Sequence, residues 1–447
     1  MDERQVIRKL DTSQALEKLK KLLTEGKESL ESVLELDVSY QYLYRTASDF
    51  KQSDLVEYYI SCIDKLAEHS LGENLDKKTI NAFKIVSTEN VVLNEALLVS
   101  KALNPVVNKI LSSEPKIHQI SFLANILQTL FAKLPEKTIQ NCDFLPKLLL
   151  NGDNDTICSF FFDLFKTKDE AKPSTMQFIL ETIPVEITKA VENASDINTI
   201  SMAGVYRIFA GLVKFSDVKS KLHETYIAEK LYLSRYPSNS YVLQMYWDSL
   251  ILFMEEKIYD KFVPLIEKAI TSIASANKTF FQYHSSCFRF LTLMCQCQSA
   301  FDKYKGISDI IIKVYKEFPN HTIALHSAEK LAVKLTLIPI IGPAEIMNIL
   351  PVLEENIKNR KSVIIYAWSY KMITDLKPVS PEMTQLITNS LDPAVQEIIE
   401  KETEIINTQY GGDVPPQASE PLHDYSASER LSLINFLIRN ATNIFRF

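Results

Sequence analysis

Seven histidines, six cysteines and several close carboxylates are the residues of this 447-residue chain that could hold a metal or move a proton. Two imidazoles leave a helix on the same face when they are four residues apart, the spacing of the His-Glu-x-x-His zinc motif. His321 and His326 are five apart, and His69, His118, His223, His284 and His423 are scattered, so surface or helix-end positions are expected for all seven. Asn151-Gly152-Asp153-Asn154-Asp155 opens like a calcium loop, but Ile157 and Cys158 stand where further oxygen ligands belong, and the twelfth position carries no Glu. A polar turn that ends in a helix cap is the expectation there. Cys295 and Cys297, two apart, leave a helix on different sides and make a poor clip. Together with Cys62, Cys142, Cys158 and Cys287 they read as buried, reduced thiols. Glu354-Glu355 and Glu400, Glu402 and Glu404 fall on solvated helical stretches, with nothing set opposite them for acid–base work. The sequence has neither a phosphate-cradling Gly-rich loop nor a nucleophile elbow. It therefore names no catalytic, metal-binding or cofactor-binding residue, and a protein that is not an enzyme is expected. Binding residues stay unassigned, with Tyr40 to Tyr44 and Tyr241 to Trp247 as stretches that could expose aromatic anchors.

The elements carrying these residues are helical. Glycine supplies only 9 residues of 447, against a usual share of roughly 7%, which leaves few left-handed turns for hairpins or nucleotide loops. The 49 basic and 56 acidic residues give a net charge of −7 without long blocks of one sign, and this argues against a nucleic-acid partner. No stretch nears the roughly 18 apolar residues of a membrane span, and Met1-Asp2-Glu3-Arg4 leads into a charged stretch rather than a signal peptide. A cytoplasmic or nuclear location is expected.

Periodicity gives the clearest organisation. Helix-start residues precede apolar runs at Pro115, Asn154, Asp196, Ser238, Asn277, Asn320 and Asn359, in steps of 39, 42, 42, 39, 43 and 39. The runs that follow, such as Ile200 to Val213 and Val363 to Met372, are apolar on too wide an arc for a surface helix and suit helices covered on both flanks. Between them lie plainly amphipathic second helices, expected at Leu134–Leu150, Met176–Val191, Val218–Tyr232, Tyr259–Ile273, Tyr304–Phe318 and Pro343–Ile357. Helical pairs recurring near 41 residues predict an all-α fold, an α-solenoid of HEAT or armadillo-like repeats over 1–406. Within it, 1–114 reads as an irregular cap and 115–406 as the regular repeats. The cap is expected to hold a helix from Ser13 to Glu25, then Leu30 to Leu36, Leu43 to Phe50, and a longer helix from Ser53 or Asp54. A Gly- and Pro-bearing linker is expected at 407–424 and a C-terminal helix at 425–447, with Leu431, Ile434, Leu437, Ile438, Ala441 and Phe445 in a stripe. Gly204 and Gly211, seven apart inside one predicted helix, imply a close approach to a neighbour.

Several segments of the first half resemble the SAPS-domain family, the regulatory subunits of protein phosphatase 6 and their fungal relatives. Leu22 to Leu36 is similar to the family's opening leucine-rich and acidic helices, and Leu103-Asn104-Pro105 with Val106, Val107 and Ile110 to its Leu-Asn-Pro-Leu-Leu helix. Asp143-Phe144-Leu145, Leu148 to Leu150 and Ile157 to Phe165 resemble its Asp-Phe segment and the leucine-rich helix after it. The resemblance covers about residues 15–215. It implies a non-catalytic scaffold whose helical surface holds a Ser/Thr phosphatase catalytic subunit and selects its substrates. The repeat pattern by itself also fits a trafficking or transport adaptor, with a groove of regularly spaced Asn or acidic residues for peptides or coat proteins.

Overall fold

The computed structural model describes Leu19 and residues 29–36, 52–113, 115–166, 173–360 and 362–407. Among the described residues every regular element is helical and there is no strand. The chain divides into two compact units, Met1–Phe253 and Met254–Phe447. The expected linker 408–424, the tail helix 425–447, the helix at Leu43 to Phe50, Tyr40 to Tyr44 and most of the Ser13 to Glu25 helix lie outside the described residues.

In the first unit, long buried helices begin at Lys77, Ile117, Asp155, Ile200 and Ser240, in steps of 40, 38, 45 and 40. In the second they begin at Gln282, Thr322 and Val363, in steps of 40 and 41. The regular spacing thus reaches back to Lys77, inside the stretch read from sequence as an irregular cap. The expected starts are close but shifted. Asn154 is the cap as expected, its Oδ1 accepting from the Thr156 amide at 2.9 Å. Elsewhere the helix opens one to four residues later, on Thr199, Asn239, Phe281, His321 and Ser362.

Polar side chains at the turns join neighbouring repeats, two of the expected starts, Ser238 and Asn320, among them. Asn198 Oδ1 accepts from the Ser238 and Asn239 amides at 2.6 and 3.0 Å. Ser362 Oγ donates to Asn320 Oδ1 at 2.8 Å. The same kind of bond recurs between other turns: Asn81 Nδ2 donates to the Leu34 carbonyl at 2.8 Å, and Gln119 Nε2 to the Leu71 carbonyl at 2.9 Å. Asp64 accepts from Ser100 Oγ at 2.7 Å, and Glu345 from the Gly306 and Ser308 amides at 2.8 and 2.9 Å. These partners are 36 to 48 residues apart, one repeat's length, so each turn is held by its counterpart in the next repeat.

The predicted second helices need correction, because most are broken in two. Tyr259–Ile273 is a 3₁₀ turn, Glu256–Phe262, followed by Leu265–Ala274; Pro264 between them has no amide to donate and restricts the residue before it. Tyr304–Phe318 divides into Gln298–Tyr304 and Ser308–Glu317 around Gly306, whose φ of +82° is a left-handed conformation. Val218–Tyr232 becomes Ser216–His223 and Ile227–Leu233, and Leu134–Leu150 becomes Pro135–Asn141 and Leu145–Asn151. Two remain continuous. Ile341–Asn359 is a single helix, while 173–193 carries a π-helical turn, Phe178–Thr182, just before Pro184, which cannot donate to a carbonyl four residues back. The long helix expected from Ser53 or Asp54 is likewise two, Gln52–Ser61 and Ile63–Ser70.

The tightest packing in the first unit joins Ile200–Leu212 to Ser240–Phe253. Tyr206 meets Tyr246 edge-on at 5.4 Å and Phe209 lies 5.8 Å from Phe253, while Tyr232 packs on both Tyr206 and Tyr246. The buried phenols are satisfied, with Tyr246 donating to the Tyr232 carbonyl at 2.7 Å and Tyr232 to Ser249 Oγ at 2.8 Å. Each such ring pair adds about 0.5–1.5 kcal/mol beyond its burial. The expected close approach at Gly204 and Gly211 is present. A methyl on Gly204 would stand 2.8 Å from the Gly152 Cα, and one on Gly211 would run into the Phe162 ring. Backbone lies against Gly204, whereas a side chain lies against Gly211, and the two differ in how far the neighbour can yield.

Gly204→Ala is therefore expected to lower stability by about 1–3 kcal/mol, with no relief from any single neighbouring truncation. Gly211→Ala should cost a similar amount, and Phe162→Leu should recover part of it. Urea unfolding of the two singles and the Gly211→Ala/Phe162→Leu double measures this; additive losses in the double would show that the ring is not the obstacle.

Candidate functional site

The first helices of successive repeats keep register closely enough for residues 41 apart to occupy equivalent places. One such position is the core. It is Tyr206 and Trp247 in the first unit, and Phe288, Glu329 and Tyr370 in the second, all buried. A carboxylate thus stands where the other repeats bury a ring. Burial alone would push the Glu329 carboxyl up. Contact with His326, the charge of Lys371 and a hydrogen bond from Asp375 instead bring it to about 2. Glu329 Oε2 lies 3.3 Å from His326 Nδ1, and Lys371 Nζ donates to Glu329 Oε1 at 3.0 Å. Lys371 also pairs with Asp375 one turn along its own helix. Burial, with Glu329 nearby, raises the Asp375 carboxyl, so Glu329 carries the charge and Asp375 takes up the proton first as the pH falls. Trp368 closes the cluster, with the His326 ring 5.4 Å away and the Lys371 ammonium 5.8 Å above it. Tyr315, whose hydroxyl donates to the Trp368 carbonyl at 3.4 Å, covers the far side and is pushed well up by burial.

A second position faces solvent. On four of the first helices, two turns after an apolar residue at the start, stands a charged one on the same face, about 10 Å along the axis. The pairs in the first unit are Ile200 with Arg207 and Tyr241 with Asp248; Arg207 is bound to Asp155 at 2.7 Å. In the second unit the pairs are Ile323 with Lys330 and Ile364 with Lys371, while Arg289, 41 residues before Lys330, stands eight after the cap residue Phe281. Ile200, Tyr241, Phe281 and Ile323 are 64, 47, 47 and 42% exposed, far more than such side chains usually are at so regular an interval. The charges of the second unit are all basic at this position, where an adaptor ladder of Asn or acidic residues was the alternative. Lys371 falls at this position in sequence, but its ammonium is largely covered, with 17% of the side chain exposed and both Glu329 and Asp375 holding it.

The residues singled out in the sequence fall apart into separate roles. His321 caps Thr322–Leu335, its Nδ1 accepting from the Ala324 amide at 3.2 Å. His326 is buried inside its helix, which corrects the expectation for it, whereas His223 and His284, also buried, stand at helix ends as expected. The His223 ring sits 2.8 Å from the Phe253 carbonyl and edge-on to the Phe253 ring. His284 Nδ1 accepts from the Phe281 amide at 2.9 Å, and burial lowers the imidazole to about 4. Asn151 to Asp155 is a turn and cap, without a ligand cluster. Glu354 and Glu402 are not merely solvated: Glu354 accepts from the Asp392 amide at 2.6 Å and Glu402 from the Tyr366 hydroxyl at 3.0 Å. All six cysteines are free, with Cys62 half-buried and the rest buried; burial lifts Cys142 and Cys295 to about 12. Of Tyr241 to Trp247, Tyr241 is exposed while Tyr246 and Trp247 are buried. Among the described residues there is no group of three or more His, Cys, Asp or Glu placed to hold a metal, and no helix is long and apolar enough to cross a membrane.

No protein family's sequence profile matches the chain, and no curated protein does. Among solved structures, an engineered protein aligns with a TM-score of 0.49 at 11% identity, over 96% of this chain and 99% of that one.

The ionic cluster makes a pH-dependent prediction with a definite sign. The folded Glu329 carboxyl lies below its unfolded value of about 4.5, so its contribution is complete above that pH and is lost as the pH falls towards 2. Asp375 works the other way, its raised carboxyl weakening the fold as it ionises on the way up from pH 3.8. Glu329→Gln should lower stability at pH 7 and flatten its decline between pH 4.5 and 2. Lys371→Met should cost about 3–5 kcal/mol, since it strands a buried carboxylate. Trp368 is the tryptophan of the second unit, so its fluorescence in a Trp247→Phe background reports urea unfolding there. A Glu329→Gln curve parallel to wild type across that pH window would refute the assignment.

Proposed function

We propose that the chain is a non-catalytic helical-repeat scaffold that holds a protein partner along the exposed stripe of its first helices. The observation that carries this reading is the recurrence of an exposed apolar residue and a charge two turns further on, at Ile200 with Arg207 and Tyr241 with Asp248 in the first unit and at Ile323 with Lys330 in the second. Evenly spaced anchors of this kind suit a long partner surface or segment, with a few of them supplying most of the affinity. In the second unit the exposed bases favour a partner that is acidic opposite Arg289 and Lys330. The SAPS-like segments of about residues 15–215 support a finer version, in which the partner is a Ser/Thr phosphatase catalytic subunit and the scaffold selects its substrates.

Capture from native lysate on the full chain, read by mass spectrometry, tests both levels. A stoichiometric protein partner is expected, and Ile323→Glu/Lys330→Glu should reduce its recovery about fivefold or more with helix content unchanged. Recovery that ignores the double substitution would remove the stripe from the reading. Absence of any metallophosphatase catalytic subunit would remove the finer version alone.

A further inference from the structure

The first unit contains a cleft of about 690 Å³ between equivalent helices of two successive repeats, Ile63–Ser70 and Leu103–Leu111, which start 40 residues apart. That volume lies within the roughly 300–1,000 Å³ of ordinary ligand pockets. Buried Leu71 and Ile110 line it, with Val106 half-exposed and Pro105 more open, so part of its lining is apolar. The Leu103-Asn104-Pro105 segment thus turns Pro105 and Val106 towards the cleft. Its walls are fixed from behind. Gln119 Nε2 donates to the Leu71 carbonyl, and the His118 ring lies 3.1 Å from the Gly72 carbonyl. The Lys116–Glu73 ion pair at 3.4 Å joins lining residues of the two repeats. Two lining charges remain. Glu68 on one helix and Lys109 on the other are exposed, and neither has an ion pair or hydrogen bond among the described residues. An apolar lining between one unpaired acid and one unpaired base is complementary to a ligand carrying the opposite pattern.

We propose that this cleft binds a short peptide segment of a partner protein, with an apolar side chain on Leu71 and Ile110, a base towards Glu68 and an acid towards Lys109. This rests on the scaffold reading and adds a second, sequence-selective contact to it. A segment that spans both helices meets both charges, whereas a neutral or singly charged small molecule leaves one of them unmatched.

The test uses the full chain and two fluorescein-labelled seven-residue peptides with a central Leu. One has Arg two residues before the Leu and Glu two residues after; the other has the two charges exchanged. Fluorescence anisotropy should show binding with a preference for one order. Glu68→Lys and Lys109→Glu should each weaken the preferred peptide about three- to fivefold, the range of exposed ion pairs. The double variant Glu68→Lys/Lys109→Glu should prefer the other peptide. Both residues are exposed, so these variants keep the fold, and far-ultraviolet circular dichroism checks it. Failure to bind either peptide, or binding unchanged in the variants, overturns the proposal; so does leucine amide competing as well as the peptides. If the chain still captures a protein partner through the first-helix stripe while the peptide test fails, the cleft assignment falls and the scaffold reading stands. If the peptides bind and no partner is captured, the scaffold reading is the one that fails.

Discussion

The first helices of the repeats bury too wide an arc for one neighbour to cover, and much else in the two units follows from the need to cover them. A helix such as Ile200–Leu212, with Met202 to Tyr206, Ile208, Phe209, Gly211 and Leu212 all buried, cannot be shielded by one partner. It needs the preceding repeat on one flank and the following repeat on the other. The core is therefore built from contacts one repeat apart, and stability becomes a sum over neighbours rather than the property of one centre. The side-chain bonds between turns obey the same rule, as at Asn198 with Ser238 and Asn320 with Ser362. So does glycine usage: Gly152 and Gly204 lie face to face where a turn rests directly on the next first helix.

This constraint explains which parts of the fold are legible in the sequence. Breadth of apolar coverage and a repeat near 41 residues survive any local detail, because every unit has to satisfy them. The pair Gly204 and Gly211 is legible for the same reason. The broken second helices are less so. An amphipathic stripe runs on through Pro264 or Gly306 whether or not the backbone does, since both halves still face the same core. The cap moved off Ser238 because its polar atoms are taken by Asn198 of the preceding repeat, and only the stacked repeat decides that.

The candidate site was harder to read, and for a specific reason. His326-Ser327-Ala328-Glu329-Lys330 looks locally like the wet face of a helix. Only when it is set 41 residues from Phe288 and Tyr370 does Glu329 fall on the core position and Lys330 on the surface one. His284 stands at a helix start, as the sequence leads one to expect, and is buried because that start belongs to a helix whose flank is covered. Single-helix periodicity gives the angle of a residue around its own axis; burial depends on what the neighbouring repeat places there.

A buried carboxylate in an aromatic position is costly, and packing alone would favour another ring. Its effect is felt at Lys371. Lys371, reaching in from the next first helix, has only 17% of its side chain exposed. Glu329 and Asp375 hold its ammonium and the Trp368 ring lies against it, so its charge is balanced inside the unit. The core of the second unit thus gives up apolar packing at one position, and in return two neighbouring first helices are tied together by charge as well as by contact.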